Sequence, residues 1–410
     1  MTTHEYEFLT TETVADYVRS RPVLSGRVDP DHLVRVDEIG DGNLNLVFVL
    51  EDGRGRRLVL KQALPYVRMV GAGWPMTPER ARREADSLRT HRALAGELVV
   101  ETIEYDPQQY VIAMEDLSDH AVWRHALNRG ERHDGAAAAL GRYVAAVAFG
   151  TSVLGMERDA AAQALARSVN PDLCTITEDL VFTEPSVDAG RNEVLAANEP
   201  DAKALAADET FVAAMGVAKW KFMTQAEALI HGDLHTGSVF VRAAESSTEC
   251  DSVKVFDSEF AFYGPVAFDL GATFANYVFA AARAYAQGDD DRAEWALSLP
   301  GQTWDAFAAE FRARFEGVRD GRVWGQAFRE TLLDRWLRET WLFAAAKMAR
   351  RIVGAAKVKD VETLPEALRE GAARGVLLAA REAASAWDAP HRPEDFAALA
   401  GALLREHRTS

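Results

Sequence analysis

His231-Gly232-Asp233-Leu234-His235-Thr236-Gly237-Ser238 runs into the apolar Val239-Phe240-Val241, and Val253 to Phe256 runs into Asp257-Ser258-Glu259. The two apolar runs read as the halves of a hairpin, with Arg242 to Asp251 as its polar connection. At the ends of that hairpin stand the carboxylates of Asp233, Asp257 and Glu259 and the imidazoles of His231 and His235. Acids gathered beside apolar strands are out of place on a purely structural surface, so the stretch reads as a chemical site.

Asp257 and Glu259 are two positions apart. On an extended strand end, residues i and i+2 point to the same side. Two carboxylates on one side suit Mg2+, which takes one or two carboxylates together with phosphate oxygens and water. Asp233 is placed to accept a hydroxyl proton or to orient that hydroxyl for in-line attack. Zinc is a poorer reading, because Gly232 and Gly237 break the helix that a His231/His235 pair needs. Hydrolysis by paired carboxylates, as in glycosidases, would use the acids but leave the upstream features idle.

Those features begin with strands at Leu33 to Ile39 and Leu46 to Leu50, separated by Gly40-Asp41-Gly42-Asn43-Leu44-Asn45. Strand, glycine turn, strand is the layout of a flap whose backbone N–H groups cover phosphates, and equally that of a plain hairpin. The next strand, Leu58 to Gln62, holds Lys61 among apolar neighbours. An edge strand or a snorkelling stem explains that lysine blandly; a phosphate-pairing role requires a carboxylate partner. Thr77 as N-cap and Pro78 open a helix that runs to about His91 and carries Glu84, so a strand lysine and a helix glutamate are set up as an ion pair. Gly71-Ala72-Gly73-Trp74-Pro75 precedes that helix. Its tryptophan reads either as a stacking lid over a ligand, which makes Trp74 a substrate-binding residue, or as an anchor to the core. Leu98 to Ile103 and Tyr110 to Met114 complete five strands, and Glu115-Asp116-Leu117 leads out of them.

Beyond Leu117 the pattern turns helical. Gly135 to Met156, capped by Asp134, and Asn192 to Gly216 read as core-facing and solvated helices. Asp269 reads as a cap for the helix that follows it, with orientation of the central loop as the second possibility. On the helix Leu332 to Lys357, Arg351 falls on the apolar stripe and Arg350 about 100° away from it. An arginine on an apolar face is costly unless it is paired, by a structural ion pair or by an anionic ligand.

The totals bound these readings. A chain of 410 residues with 48% hydrophobic and 27% charged residues folds as a globular protein of two lobes or domains. Its net charge of −17 repels phosphate backbones, so nucleic acid is not the expected partner. Two distant cysteines, Cys174 and Cys250, imply neither a disulfide framework nor a zinc site, and a reducing cytoplasm is the default. Met1 to Thr13 lacks the pattern of a signal peptide. The most apolar window, Phe260 to Ala282, contains Gly264, Pro265, Asp269 and Gly271 and reads as a buried helix entry rather than a membrane span.

In this order the parts resemble the aminoglycoside and choline kinase-like superfamily and, within it, the 5-methylthioribose kinases. IGDGNLNLVF (Ile39 to Phe48), KQALPY (Lys61 to Tyr66), VGAGWP (Val70 to Pro75), MEDLS (Met114 to Ser118), IHGDLHTGS (Ile230 to Ser238), EFAFYG (Glu259 to Gly264) and Arg350-Arg351 carry the resemblance. It implies an α+β, protein-kinase-like two-lobed fold. Residues 1–116 would form a small antiparallel β-sheet lobe and residues 117–410 a larger, mostly helical lobe. The implied reaction moves the γ-phosphoryl group of ATP to the 1-hydroxyl of 5-methylthioribose, an entry to methionine salvage, in a cytoplasmic homodimer. By the match, Gly40, Gly42 and Asn43 contact ATP, Lys61 pairs its phosphates with Glu84 as partner, and the backbone of Glu115, Asp116 and Leu117 meets adenine. Asp233 holds the sugar hydroxyl, Asp257 and Glu259 hold Mg2+, and Arg351 and Arg350 lie at the substrate and the transferring phosphate.

Two positions depart from the pattern. The wider superfamily has Asn where Ser238 stands; the methylthioribose kinases share the Ser, and Glu259 replaces the missing amide as an oxygen donor. Ser258 stands where many of the narrower family have Pro. An aminoglycoside, an amino alcohol or another 5-deoxy sugar is the alternative acceptor. A nucleotide-binding pseudokinase is disfavoured because Lys61, Asp233 and Asp257 are all present.

Overall fold

The strand Arg57–Ala63 is central to the first part of the chain and is buried on both faces from Leu60 to Ala63. Leu58 and Leu60 point to one face and Lys61 to the other. The protein is seen here as a computed structural model that describes residues 6–39, 44–67, 71–187 and 189–409. Strands β1 (Leu33–Glu38), β2 (Asn45–Asp52), β3 (Arg57–Ala63), β6 (Thr102–Asp106) and β7 (Val111–Met114) form an antiparallel sheet in the order β1-β2-β3-β7-β6. Strand β3 is therefore central, and the edge-strand explanation of Lys61 falls. Its register sets Lys61 between Val47 and Ile112. Leu58, Leu60, Phe48, Leu50, Val111 and Ala113 pack against helices α1 (Val14–Arg19) and α2 (Pro22–Arg27) through Val14, Val18 and Leu24.

Strands β4 (Tyr66–Val67) and β5 (Gly71–Pro75) make a separate two-stranded ribbon. Helix α3 (Arg80–Ala95) follows, starting later than the Thr77 cap implied. Thr77 Oγ1 accepts from the N–H of Glu79 at 3.3 Å, within the turn that precedes the helix.

The chain divides into two compact units. The first takes Met1–His120 together with Lys254–Ala261; the second takes Ala121–Val253 and Phe262–Ser410. The later piece of the first unit is stitched in by a hydrogen bond from the N–H of Val100 to the carbonyl of Val255 (3.0 Å) and by Lys254 Nζ to Glu97 Oε2 (2.7 Å).

The second unit starts with β8 (Ala121–Val122) and helices α4 (Trp123–Arg129), α5 (Ala136–Gly150), α6 (Arg158–Arg167) and α7 (Pro171–Thr177). The expected cap of α5, Asp134, instead bonds Thr248 and Trp295, and Gly135 takes the cap position. Helices α8 (Glu199–Ala206) and α9 (Glu209–Thr224) split the single acidic helix read from the sequence, because Asp208 caps a new start by accepting from the N–H groups of Thr210 and Phe211.

Strands β9 (Ala228–Ile230), β10 (Val239–Ala243), β11 (Cys250–Val255) and β12 (Phe262–Gly264) surround the central stretch. β10 lies between β8 and β11, and β9 pairs with β12. Helices α10 (Val266–Ala286), α11 (Asp290–Phe315), α12 (Gln326–Val353), α13 (Lys359–Glu362), α14 (Glu366–Ala386) and α15 (Pro393–His407) complete the unit. Helix α10 is buried along almost its whole length. At Gly271 a Cβ would stand 2.7 Å from the backbone of Ala344 on α12, so only glycine lets these two helices cross so closely. Among the described residues no helix is long and apolar enough to cross a membrane.

Candidate active site

Lys61 is the centre of the chemistry in the first unit. Its Nζ donates to Glu84 Oε1 on α3 at 2.7 Å and to Asp257 Oδ1. Burial disfavours its charge, but Asp257, Glu84 and Glu259 outweigh burial and raise the ammonium above the usual lysine range. Burial also pushes the Glu84 carboxyl up to about 7; Lys61 pulls it the other way, and the charges of Asp257 and Glu259 add to the rise.

Asp257 sits after the end of β11 with φ of 66°, a left-handed conformation unusual for a residue with a side chain. The premise of an extended strand end at Asp257-Ser258-Glu259 is therefore corrected. A tight turn, not a strand pleat, brings both carboxylates to the lysine. Ser258 Oγ lies 2.6 Å from Ser87 Oγ on α3 and ties that turn down.

Glu259 is held from its far side. Asn45 Nδ2 donates to its Oε2 at 3.1 Å, and Arg80 Nε lies 3.3 Å from the same oxygen. Arg80 is completely buried; it also donates to the carbonyls of Leu44 (2.7 Å), Leu64 (2.6 Å) and Thr77 (3.0 Å) and to Asn45 Oδ1 (3.0 Å). Sequence reasoning missed Arg80 and Asn45. Arg80 lies in the charged run RARRE, which reads as a solvated helix start.

Glu84, Asp257 and Glu259 each offer an oxygen, and these oxygens all lie within 4.8 Å of one another. Three acids against Lys61 and Arg80 leave negative charge uncompensated. Oxygen donors with spare negative charge fit a hard divalent cation. Among the described residues this is the single such group, and His231 and His235 do not join one.

The other expected contacts of this unit are less complete. Gly40, Gly42 and Asn43 lie outside the described residues, and Trp74 is placed on β5 by its backbone alone. Glu115 turns its carboxylate back into the unit, accepting from the N–H of Glu101 at 2.8 Å and lying 3.2 Å from Lys254 Nζ. Asp116 caps the turn at Ser118, accepting from its N–H at 3.2 Å, and Leu117 is buried.

In the second unit Asp233 follows β9 in a loop shaped from beneath by Asp269. This aspartate does not cap α10. Its two oxygens accept from the N–H groups of His231 (2.8 Å) and Gly232 (3.0 Å), so the reading as loop orienter replaces the capping one. Gly232 has φ of 82°, which its lack of a Cβ permits. Ser238 Oγ closes the loop's other end, donating to the carbonyls of Asp233 (3.2 Å) and His235 (2.9 Å) and accepting from the N–H of His235 (3.0 Å).

Asp233 Oδ1 accepts from Lys347 Nζ on α12 at 2.8 Å, and Oδ2 lies 3.4 Å from His235 Nε2. Burial alone would raise this carboxyl; Lys347, His235 and Arg351 together hold it well below the usual carboxylate range. Burial pushes His235 down to about 4, so it is neutral at ordinary pH. Arg350 and Arg351 are both half-buried. Burial lowers both guanidiniums; the charge of Arg350 lowers Arg351 further, and both feel the charge of Asp233. Among the described residues Arg350 Nε and Nη1 are buried without a hydrogen-bond partner, whereas Arg351 Nη1 donates to the carbonyl of Ala356 at 3.3 Å. Arg124 on α4 donates to Asn276 Oδ1 at 2.6 Å and lies 3.4 Å from the buried Asp360. Lys347, Arg124 and Asp360 were missed. Lys347 was findable, because it interrupts the apolar run LFAAAKM just as Lys61 interrupts its strand.

The chain is similar to known proteins along most of its length. Residues 35–309 match the model of the phosphotransferase enzyme family. A methylthioribose kinase of Pectobacterium atrosepticum is 38% identical over 409 residues, covering 96% of this chain and 98% of that protein. A methylthioribose kinase of Yersinia pseudotuberculosis is 38% identical over 378 residues, 90% of each chain. The solved choline/ethanolamine kinase family protein from Mesorhizobium loti aligns with 97% of this chain and 100% of that chain, at 14% identity and a TM-score of 0.42.

Proposed function

This chain belongs to the methylthioribose kinases of the phosphotransferase enzyme family, and from that premise we propose that it transfers the γ-phosphoryl group of ATP to the 1-hydroxyl of 5-methylthioribose. The transfer chemistry is carried by one observation: a buried lysine in a central strand, bonded at once to a helix glutamate and to Asp257. That is the layout of a phosphate-pairing lysine. The acceptor is supported by the names of relatives that align with nearly the whole chain.

In this reading Lys61 pairs the phosphates of ATP and Glu84 holds the lysine in place. The flap of Gly40, Gly42 and Asn43 covers the phosphates, and the backbone of Glu115, Asp116 and Leu117 meets adenine. Asp257 and Glu259 hold Mg2+, which when bound offsets the phosphate charge. Asp233 holds the sugar hydroxyl and takes its proton as the new O–P bond forms and the bond from phosphorus to the departing ADP oxygen breaks. Arg350 and Arg351 offset charge on the transferring group, and Trp74 belongs to the acceptor side.

Two free cysteines support a reducing, cytoplasmic setting, and the homodimer rests on resemblance; light scattering tests it. The function itself is tested by ADP release with ATP, Mg2+ and 5-methylthioribose, run beside choline and an aminoglycoside. Release that depends on all three reagents and prefers the thioribose is the expected result. A preference for the aminoglycoside, or no release from folded protein, overturns the proposal.

A further inference from the structure

Lys347 is a buried ammonium that the reaction as written above does not use. It lies on α12 one turn before Arg351, is 4% exposed, and stands 4.4 Å from the centroid of the Phe268 ring. Burying an ammonium costs several kcal/mol unless a partner compensates it. A methionine would fill the same space in this apolar stretch of α12 without that cost. The partner present is Asp233, through the 2.8 Å bond to Oδ1.

The surroundings of Asp233 make this bond distinct. His235 on the same loop reaches Oδ2 only loosely, at 3.4 Å, and is neutral. Arg350 and Arg351 on α12 act on Asp233 by charge without a hydrogen bond to it, and Arg124 on α4 acts on those two arginines. Asp269 on α10 is engaged with the loop backbone. Lys347 is thus the group that fixes the plane of the carboxylate.

We propose that Lys347 is a positioning residue for phosphoryl transfer: by occupying Oδ1 of Asp233 it leaves Oδ2 as the face presented to the acceptor hydroxyl. This deepens the kinase reading and rests on it. A carboxylate already bonded to an ammonium is a weak base. It therefore orients the hydroxyl and receives its proton with O–P bond formation rather than before it, as a loose transition state requires. The proton passes from the acceptor oxygen to Oδ2, the new O–P bond forms, and ADP leaves with the electron pair of the broken bond; Lys347 keeps its own protons.

The test compares wild type, Lys347→Met and Lys347→Arg in ADP release from about pH 3 to about pH 9, together with a carbon-13 titration of the Asp233 carboxyl over the same range in the same three proteins without substrate, its signal assigned with Asp233→Asn. In Lys347→Met, kcat is expected to fall by roughly 10²-fold or more while KM for ATP stays within about threefold. The acid limb of its pH profile and the Asp233 titration are both expected to move up by about one pH unit or more. Lys347→Arg is expected to return both to within about half a unit of wild type.

A kcat loss with an unmoved acid limb and an unmoved titration means that Lys347 only supports the fold, and overturns the proposal; so does unchanged kcat. If wild type releases no ADP with 5-methylthioribose, the function proposed above fails. The titration then still decides whether Lys347 controls Asp233. If Lys347→Met does not fold, Lys347→Gln, which removes the charge and keeps a polar side chain, takes its place under the same expectations, and an unmoved Asp233 titration in that variant overturns the role.

Discussion

Lys61 Nζ and Glu84 Oε1 are 2.7 Å apart, joining the middle strand of the sheet to the helix that follows it. Because Lys61 also bonds Asp257, the two partners do different work. Removing the lysine leaves three acids together with no ammonium between them. Lys61→Met is expected to lower kcat by about 10²–10³-fold. Glu84→Gln keeps a hydrogen-bond acceptor for Nζ and leaves Asp257 in place, so it is expected to cost roughly tenfold less than Lys61→Met. Steady-state ADP release on both variants checks the order; equal losses would contradict it.

His235 gives the protein an acid-side weakness. Burial pushes its imidazole down to about 4, from the ordinary histidine value of 6.5, so the unfolded chain takes up a proton that the folded one refuses. Stability is then fully present above about 6.5 and is lost as pH falls toward about 4. The loss attributable to this group is on the order of 3 kcal/mol. Denaturation midpoints of wild type and His235→Gln, compared between pH 7 and pH 4, are expected to converge or cross as pH falls. A constant gap would show that His235 is not held neutral.

Arg80 joins the carbonyls of Leu44, Leu64 and Thr77 to Asn45 and Glu259 with no exposure to solvent. Arg80→Met strands a buried carboxylate and several carbonyls, and is expected to cost on the order of 3–5 kcal/mol. Arg80→Lys is expected to recover less than half, because an ammonium cannot span that fan of acceptors as the planar guanidinium does. Urea unfolding of the two variants measures both. Near-wild-type stability of Arg80→Met would refute the account.

What was legible in the sequence follows from which signals are local. Lys61 stands out because a charge interrupts an apolar strand, and Glu84 because a helix start precedes it by one turn. The Asp233 loop stands out because its glycines break a histidine pair. Three-dimensional convergence leaves no such mark. Nothing in RARRE says that Arg80 is the arginine buried completely, since helical spacing gives each arginine a face but not the neighbour of that face. The left-handed turn at Asp257 is likewise set by tertiary packing, and an i, i+2 rule applied there reached the convergence of Asp257 and Glu259 through the wrong backbone. Asp269 sits within the first turn of α10 and so resembles a cap, yet its partners lie far upstream, at His231 and Gly232. Lys347 was legible by the signal that found Lys61, but a long apolar helix invites reading for its stripe rather than for the residue that breaks it.

Arg350 and Arg351 are adjacent, and their hydrogen bonds separate them. The helical stripe favoured Arg351 as the inward one. The structure leaves both half-buried and near enough to Asp233 to feel its charge. Arg351 spends one nitrogen on the carbonyl of Ala356, just past the end of α12. Arg350 has two buried nitrogens, Nε and Nη1, with no acceptor among the described residues. A buried guanidinium N–H costs free energy until an acceptor meets it, and Arg350 holds two such nitrogens ready for anionic oxygens. Arg350 is therefore the arginine expected to act on the transferring group. Arg350→Lys keeps the charge and loses both guanidinium donors, so kcat is expected to fall about 10²-fold with little change in melting temperature. Arg351→Lys is expected to lose about tenfold or less in kcat and to melt lower, because the Ala356 tether weakens. Parallel kinetics and thermal melts of the two variants distinguish these roles, and a larger kcat loss in Arg351→Lys would reverse the assignment.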